Sequence, residues 1–200
     1  MAPAPDEETA VLEAVTRAVV TPASVAVFLA LALTGVALHG RLARAAGTRK
    51  LPTLAAWIAL AAGTAVTITP QSGPQFGPAA RRIFACPLSW PDSPGLLDLP
   101  TPTDGSLNSL VLLPFGACAA LAVRNRRHTA MVVAVALLLP ALVEASQGFT
   151  LFVRHCSAQD WFDNASGALL GLALVLLVRA LAGTFPDRRD RYGSEFEPHR

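Results

Sequence analysis

Long stretches without charge alternate along the chain with short charged connections, and this alternation dominates over any helical or strand period. An apolar run of about 20 residues spans the roughly 30 Å hydrocarbon layer as a helix, whereas a segment lying over a soluble core shows a polar face every turn. Five runs qualify, at about residues 19–38, 51–68, 107–123, 129–147 and 162–181. Pro70, Gly73, Pro74, Gly77 and Pro78 stop the second run, because proline removes a helical donor and glycine loosens the backbone. The predicted fold class is all-α, a polytopic membrane helical bundle of about five transmembrane helices. The transmembrane domain covers residues 19–183, with an external segment 1–18 before it and an external Pro/Gly-rich loop at 69–106. A charged cytoplasmic tail, 184–200, follows and is expected to be disordered.

Composition points the same way: 52% of the residues are hydrophobic and 15% charged, against about 25% charged in a soluble domain. Basic residues concentrate in cytoplasmic connections, so their distribution orients the chain. Arg41, Arg44, Arg49 and Lys50 follow the first run, Arg124, Arg126 and Arg127 the third, and Arg179, Arg188, Arg189, Arg191 and Arg200 the fifth. The other side receives Arg17, Arg81, Arg82 and Arg154, so the N-terminus is expected outside the plasma membrane and the C-terminus in the cytoplasm. A net charge of +2 without a basic, aromatic-laced stripe argues against nucleic acid. Residues 1–13 are acidic and lack the positive start of a secretory leader, so none is expected. No CxxC or His/Cys metal spacing occurs, and no metal or cofactor is indicated. Cys86 and Cys156 both fall on the outer side and are a candidate disulfide, while Cys118 lies inside the third run.

Ionisable residues in a span cost about 2.5–3.5 kcal/mol at its centre, so each requires a partner or a task. Here they gather at one depth. Glu144 and Gln147, three apart, share a face at the outer end of the fourth run, and Arg154 follows in the connection. Asp160 and Asn164, four apart, open the fifth run, and Asn108 opens the third from the same side. Gly167 and Gly171 continue from Asn164 with the spacing of a close helix contact. Pro114 can kink the third run, with Gly116 admitting a neighbour. Ser157 and Asp160 have the spacing of a capping box. Asp163, about 100° around the helix from Asn164, is expected to face head groups or water. His155 reads as a solvated loop residue, and Trp90 and Trp161 as interfacial anchors.

The ordered set Glu144-x-x-Gln147, Arg154, Asp160-x-x-x-Asn164-x-x-Gly167-x-x-x-Gly171 resembles the signature of the VanZ-like family. Asn108 followed by Pro114-Phe115-Gly116 resembles the element in its preceding span. The resemblance covers the last three runs; the first two match only in character. It implies a small multi-helix membrane protein of Gram-positive bacteria with a cell-envelope role, in a family named for a member associated with teicoplanin resistance. The long Pro-rich segment carrying Cys86 departs from the compact loops of that family.

Three functional classes follow from the residues. In the first, Arg154, Asn108, Gln147 and Asn164 bind an anionic lipid-linked envelope component, with membrane lipids around it and Glu144 and Asp160 as candidate acid or base groups. In the second, the cluster is interhelical glue in a scaffold protein. The third, a small-molecule transporter, fits less well because the polar residues collect at one end of the spans.

Overall fold

The computed structural model describes residues 20–69, 94–98, 104–148 and 156–183. Among these, five helices form and no strand: α1 (Pro22–Ala46), α2 (Lys50–Ile68), α3 (Asp104–Ala122), α4 (Arg126–Gly148) and α5 (Ala158–Leu181). A single 3-10 turn, Gly95–Asp98, precedes α3. All five helices are long and apolar enough to cross a membrane.

The ends of α1 follow from its sequence. Thr21 Oγ1 accepts the Ser24 N–H at 3.1 Å and Ser24 Oγ accepts the Thr21 N–H at 2.8 Å, a reciprocal box with Pro22 at the first helical position. Gly47 closes the helix at φ +64, where its N–H bonds Arg44 O and the Thr48 N–H bonds Ala43 O. Only glycine takes that left-handed position without strain. The helix therefore runs past the expected end near residue 38, through Arg41 and Arg44. At 1.5 Å per residue it measures about 37 Å, so its basic last turns emerge beyond the hydrocarbon. Helices α3, α4 and α5 begin three or four residues earlier than the hydrophobic pattern indicated, since polar first turns carry no hydropathy signal.

The closest pair is α3 with α5; α2 packs on α3, and α1 on α2. Trp57 seats its indole on Gly35 and donates to Leu31 O at 2.8 Å, which fixes α1 to α2. Helix α4 has the sparsest contact, spread thinly over three neighbours. Small residues such as Ala119, Ala120, Ala136 and Ala168 are buried, while Leu33, Leu138, Leu142 and Leu177 face outward. That inversion of the soluble pattern is what lipid solvation demands, since helices gain by close approach and leucine is as content in acyl chains as in a core.

The α3/α5 contact is built on backbone proximity. A methyl added at Gly167 would fall on the Ser109 carbonyl, one at Gly171 on that of Leu113, and one at Gly116 on that of Ala168. Polarity is distributed by end. Among the described residues all the Lys and Arg lie where α1 meets α2, α3 meets α4, and α5 finishes. All the Asp and Glu lie at the opposite end.

Candidate functional site

Every buried polar side chain among the described residues belongs to the acidic end. They are Ser24 on α1, Thr67 and Thr69 closing α2, Ser106 and Ser109 opening α3, Glu144 and Gln147 on α4, and Asp163 and Asn164 on α5. One layer, supplied by all five helices, thus holds groups that hydrocarbon would not tolerate.

Helix α4 is held to this layer by its side chains. Gln147, 4% exposed, donates from Nε2 to Thr67 O at 2.9 Å, meeting a carbonyl in the last turn of α2. Glu144, also 4% exposed, accepts the Ser157 N–H on Oε2 at 3.0 Å and joins α4 to the start of α5. Ser157 caps α5, its Oγ accepting the Asp160 N–H at 3.3 Å. Asp160 is half-buried, and its carbonyl accepts Asn164 Nδ2 at 2.9 Å. That bond sets the amide orientation and leaves Asn164 Oδ1 buried with no hydrogen-bond partner. Asn108 lies half-buried one position before Ser109.

Asn164 also lines a crevice between α4 and the rest of the bundle, with Thr64, Thr67, Leu112, Leu139, Pro140 and Val143. Its volume of about 10 Å³ is near the lower bound for a single water. Pro140 is on the crevice wall and deprives the Ala136 carbonyl of its donor. The next carbonyl, Leu137 O, receives the Trp161 indole N–H at 2.9 Å. Trp161, expected as an interfacial anchor, thus also acts as a strut between α4 and α5.

Asp163 does not face water or head groups. It is 0% exposed and packs at the α3/α5 seam, where Oδ1 accepts the Gly95 N–H at 2.8 Å and Gln159 Nε2 at 3.1 Å. Its other oxygen, Oδ2, is buried without a hydrogen-bond partner, and a Cβ added at Gly105 would lie 2.9 Å from it. The signal was present in the spacing: Gln159, Asp163, Gly167 and Gly171 form an i+4 ridge, the glycine ridge extended backward by two turns. Ser109, whose buried Oγ is also unpartnered, was missed because a single serine in an apolar run carries no pattern. Arg179 was read only as a tail charge. It reaches to α3, donating from Nη1 to Ala120 O at 2.6 Å and from Nη2 to Leu121 O at 2.9 Å.

Arg154, His155, Trp90 and Cys86 lie outside the described residues, so the expected Cys86–Cys156 bridge is not described; Cys156 is buried, and Cys118 is a free thiol. No group of His, Cys, Asp and Glu suited to a metal ion occurs among the described residues.

Comparison with curated proteins and with solved structures gave no match. The VanZ/LLP1 family model, by contrast, matches residues 27–179, from the first turns of α1 to within two residues of the end of α5. The match reaches all five helices and takes in the buried polar layer apart from Ser24, and this multi-pass membrane protein belongs to the VanZ/LLP1 family.

Proposed function

We propose that the polar layer binds the head group of an anionic lipid-linked envelope component at the outer leaflet of the plasma membrane. The observation that carries this reading is Asn164 Oδ1, a buried acceptor without a donor, at a crevice between α4 and its neighbours. An acceptor in that state costs about 1–3 kcal/mol, and a ligand hydroxyl or amide removes the cost. The crevice is too small for a head group as it stands, so binding requires α4 to swing outward, and α4 is the helix with the sparsest contacts.

The described residues of this end offer carboxylates, amides and hydroxyls but no cation. We assign recognition of a phosphate or carboxylate to Arg154, with Glu144 and Asp160 as acid or base groups should a bond be made or broken. The separation of basic and acidic residues between the two ends supports an N-terminus outside and a C-terminus in the cytoplasm. In that orientation Cys86 and Cys156 share an oxidising side and pair. The resemblance to a teicoplanin-resistance protein of Gram-positive bacteria makes glycopeptide susceptibility the phenotype to measure.

A second reading, interhelical glue, is favoured by the two direct ties of Gln147 to Thr67 and Glu144 to Ser157. Teicoplanin and vancomycin susceptibility separates the two. A Gram-positive host would express wild type or Glu144→Gln, Arg154→Ala, Asp160→Asn or Asn164→Ala, with membrane levels matched. The binding reading expects a teicoplanin shift with wild type that disappears in equally abundant variants. A shift that every variant retains leaves the glue reading standing.

A further inference from the structure

The opposite end of the bundle carries an inference independent of the polar layer. Arg41, Arg44, Arg49 and Lys50 around the α1–α2 link, and Arg124, Arg126 and Arg127 around the α3–α4 link, are all exposed. No acidic residue among the described ones lies near them, and no side chain of these seven makes a hydrogen bond or ion pair. The two links meet: a Cβ added at Gly47 would lie 3.6 Å from Cε1 of His128, so the α1–α2 turn sits against the start of α4. Arg179 adds its charge from α5, close enough to Arg49 for the two to repel. Cations held together with no counter-charge among the described residues raise a local positive potential that a dense anionic surface neutralises.

We propose that this face is a docking surface for anionic phospholipid head groups in the leaflet that surrounds it. The residues stand where helices leave the hydrocarbon, at the depth of lipid phosphates. They come from two links that are adjacent in space, so one head group can be met by charges from both. A soluble nucleic acid would need a face projecting into water, whereas these cations sit on the end turns and three-residue links of membrane helices.

The test uses the purified full chain in detergent, with phosphatidylglycerol and phosphatidylcholine of the same acyl length as probes and native mass spectrometry to count bound lipids. At about 0.1 M salt, phosphatidylglycerol is expected to be retained at least tenfold over phosphatidylcholine. The preference should fall toward parity near 1 M, where the screening length drops from about 10 to about 3 Å. The Arg49→Gln/Lys50→Gln and Arg126→Gln/Arg127→Gln pairs should each lower it about fivefold or more, roughly the effect of a single surface charge. Retention of the lipid when inorganic phosphate replaces the salt at the same ionic strength of about 0.1 M supports a lipid site; displacement there would overturn it in favour of a generic anion patch. Equal retention of the two lipids by wild type would also overturn the proposal, and that measurement does not depend on the variants folding. A salt-insensitive preference, or one unchanged in both folded pairs, would do the same.

Discussion

Adding a single methyl to Gly167 tests the α3/α5 seam directly. In Gly167→Ala the new carbon would collide with the Ser109 carbonyl oxygen and lie 2.7 Å from its carbon and 3.0 Å from Cα, where ordinary contact begins near 3.4 Å. The obstruction is backbone, so no rotamer relieves it; the carbonyl carbon alone requires the helices to part by about 0.7 Å, and the nearer oxygen requires more, so a loss worked from that gap is a lower bound. A gap of about 0.5–1 Å forfeits a quarter to a half of each dispersion well, and a buried leucine makes roughly 40–60 contacts of about 0.1–0.2 kcal/mol. Taking a quarter of the lower bound for Leu172, buried beside Gly116 in this seam, gives about 1 kcal/mol. That falls inside the usual range of about 1–3 kcal/mol for overpacking. Reversible unfolding in mixed micelles, followed by circular dichroism, reads the difference. Gly40→Ala is the internal control: its methyl would meet only Arg44 Nη1 at 3.8 Å, and relief of glycine's backbone entropy should leave it neutral or about 0.5–1 kcal/mol more stable. Equal midpoints for Gly167→Ala and wild type would refute the seam, as would an equal loss in Gly40→Ala.

Other substitutions probe separate joints by the same unfolding assay. Arg179→Met, which keeps length but removes the bonds to Ala120 O and Leu121 O, should destabilise by about 1.5–3 kcal/mol, and no loss would show the α3 carbonyls to be satisfied otherwise. Asp163→Leu should lose about 1–3 kcal/mol by stranding the Gly95 N–H, while Asp163→Asn, which keeps an acceptor, should lose less; the reverse order would contradict an acceptor role. Gln147→Leu should cost about 0.6 kcal/mol, and no more than about 1.7, the span of interhelical bonds in membranes. For the proposed Cys86–Cys156 bridge, alkylation of the denatured chain should label one thiol before reduction and three after it; three labels without reduction would exclude the pairing.

Helix number and type were legible because the hydrophobic effect writes both into uncharged runs of membrane length. Boundaries were less so. Arg41 and Arg44 looked like a helix end, yet a helix continues through charged residues once it has left the hydrocarbon, and the Gly47 cap decides where it stops. On α4, spacing put Glu144 and Gln147 on one face, and both are buried there. Asp163 went the other way because a lone carboxylate at an interface reads as solvated by default. Its burial follows from two distant glycines, Gly95 and Gly105, approaching it from outside its own helix. Contacts between segments far apart in sequence leave no local trace, and the same applies to the Arg179 bonds and the α2–α4 crevice.

The tightest seam joins α3 to α5, and α4 lies between them in sequence while packing only sparsely. Synthesis proceeds from the N-terminus, so α3 enters the bilayer with its Gly116 face bare and waits for α4 to pass before its partner arrives. Completion of the bundle thus waits on its last span: a chain cut before residue 158 retains four insertable helices and the α2–α3 contact, but nothing to cover the Gly116 face of α3. Such a product would be inserted yet unassembled, its small-residue ridge open to other membrane proteins and to the quality-control proteases that recognise orphaned spans.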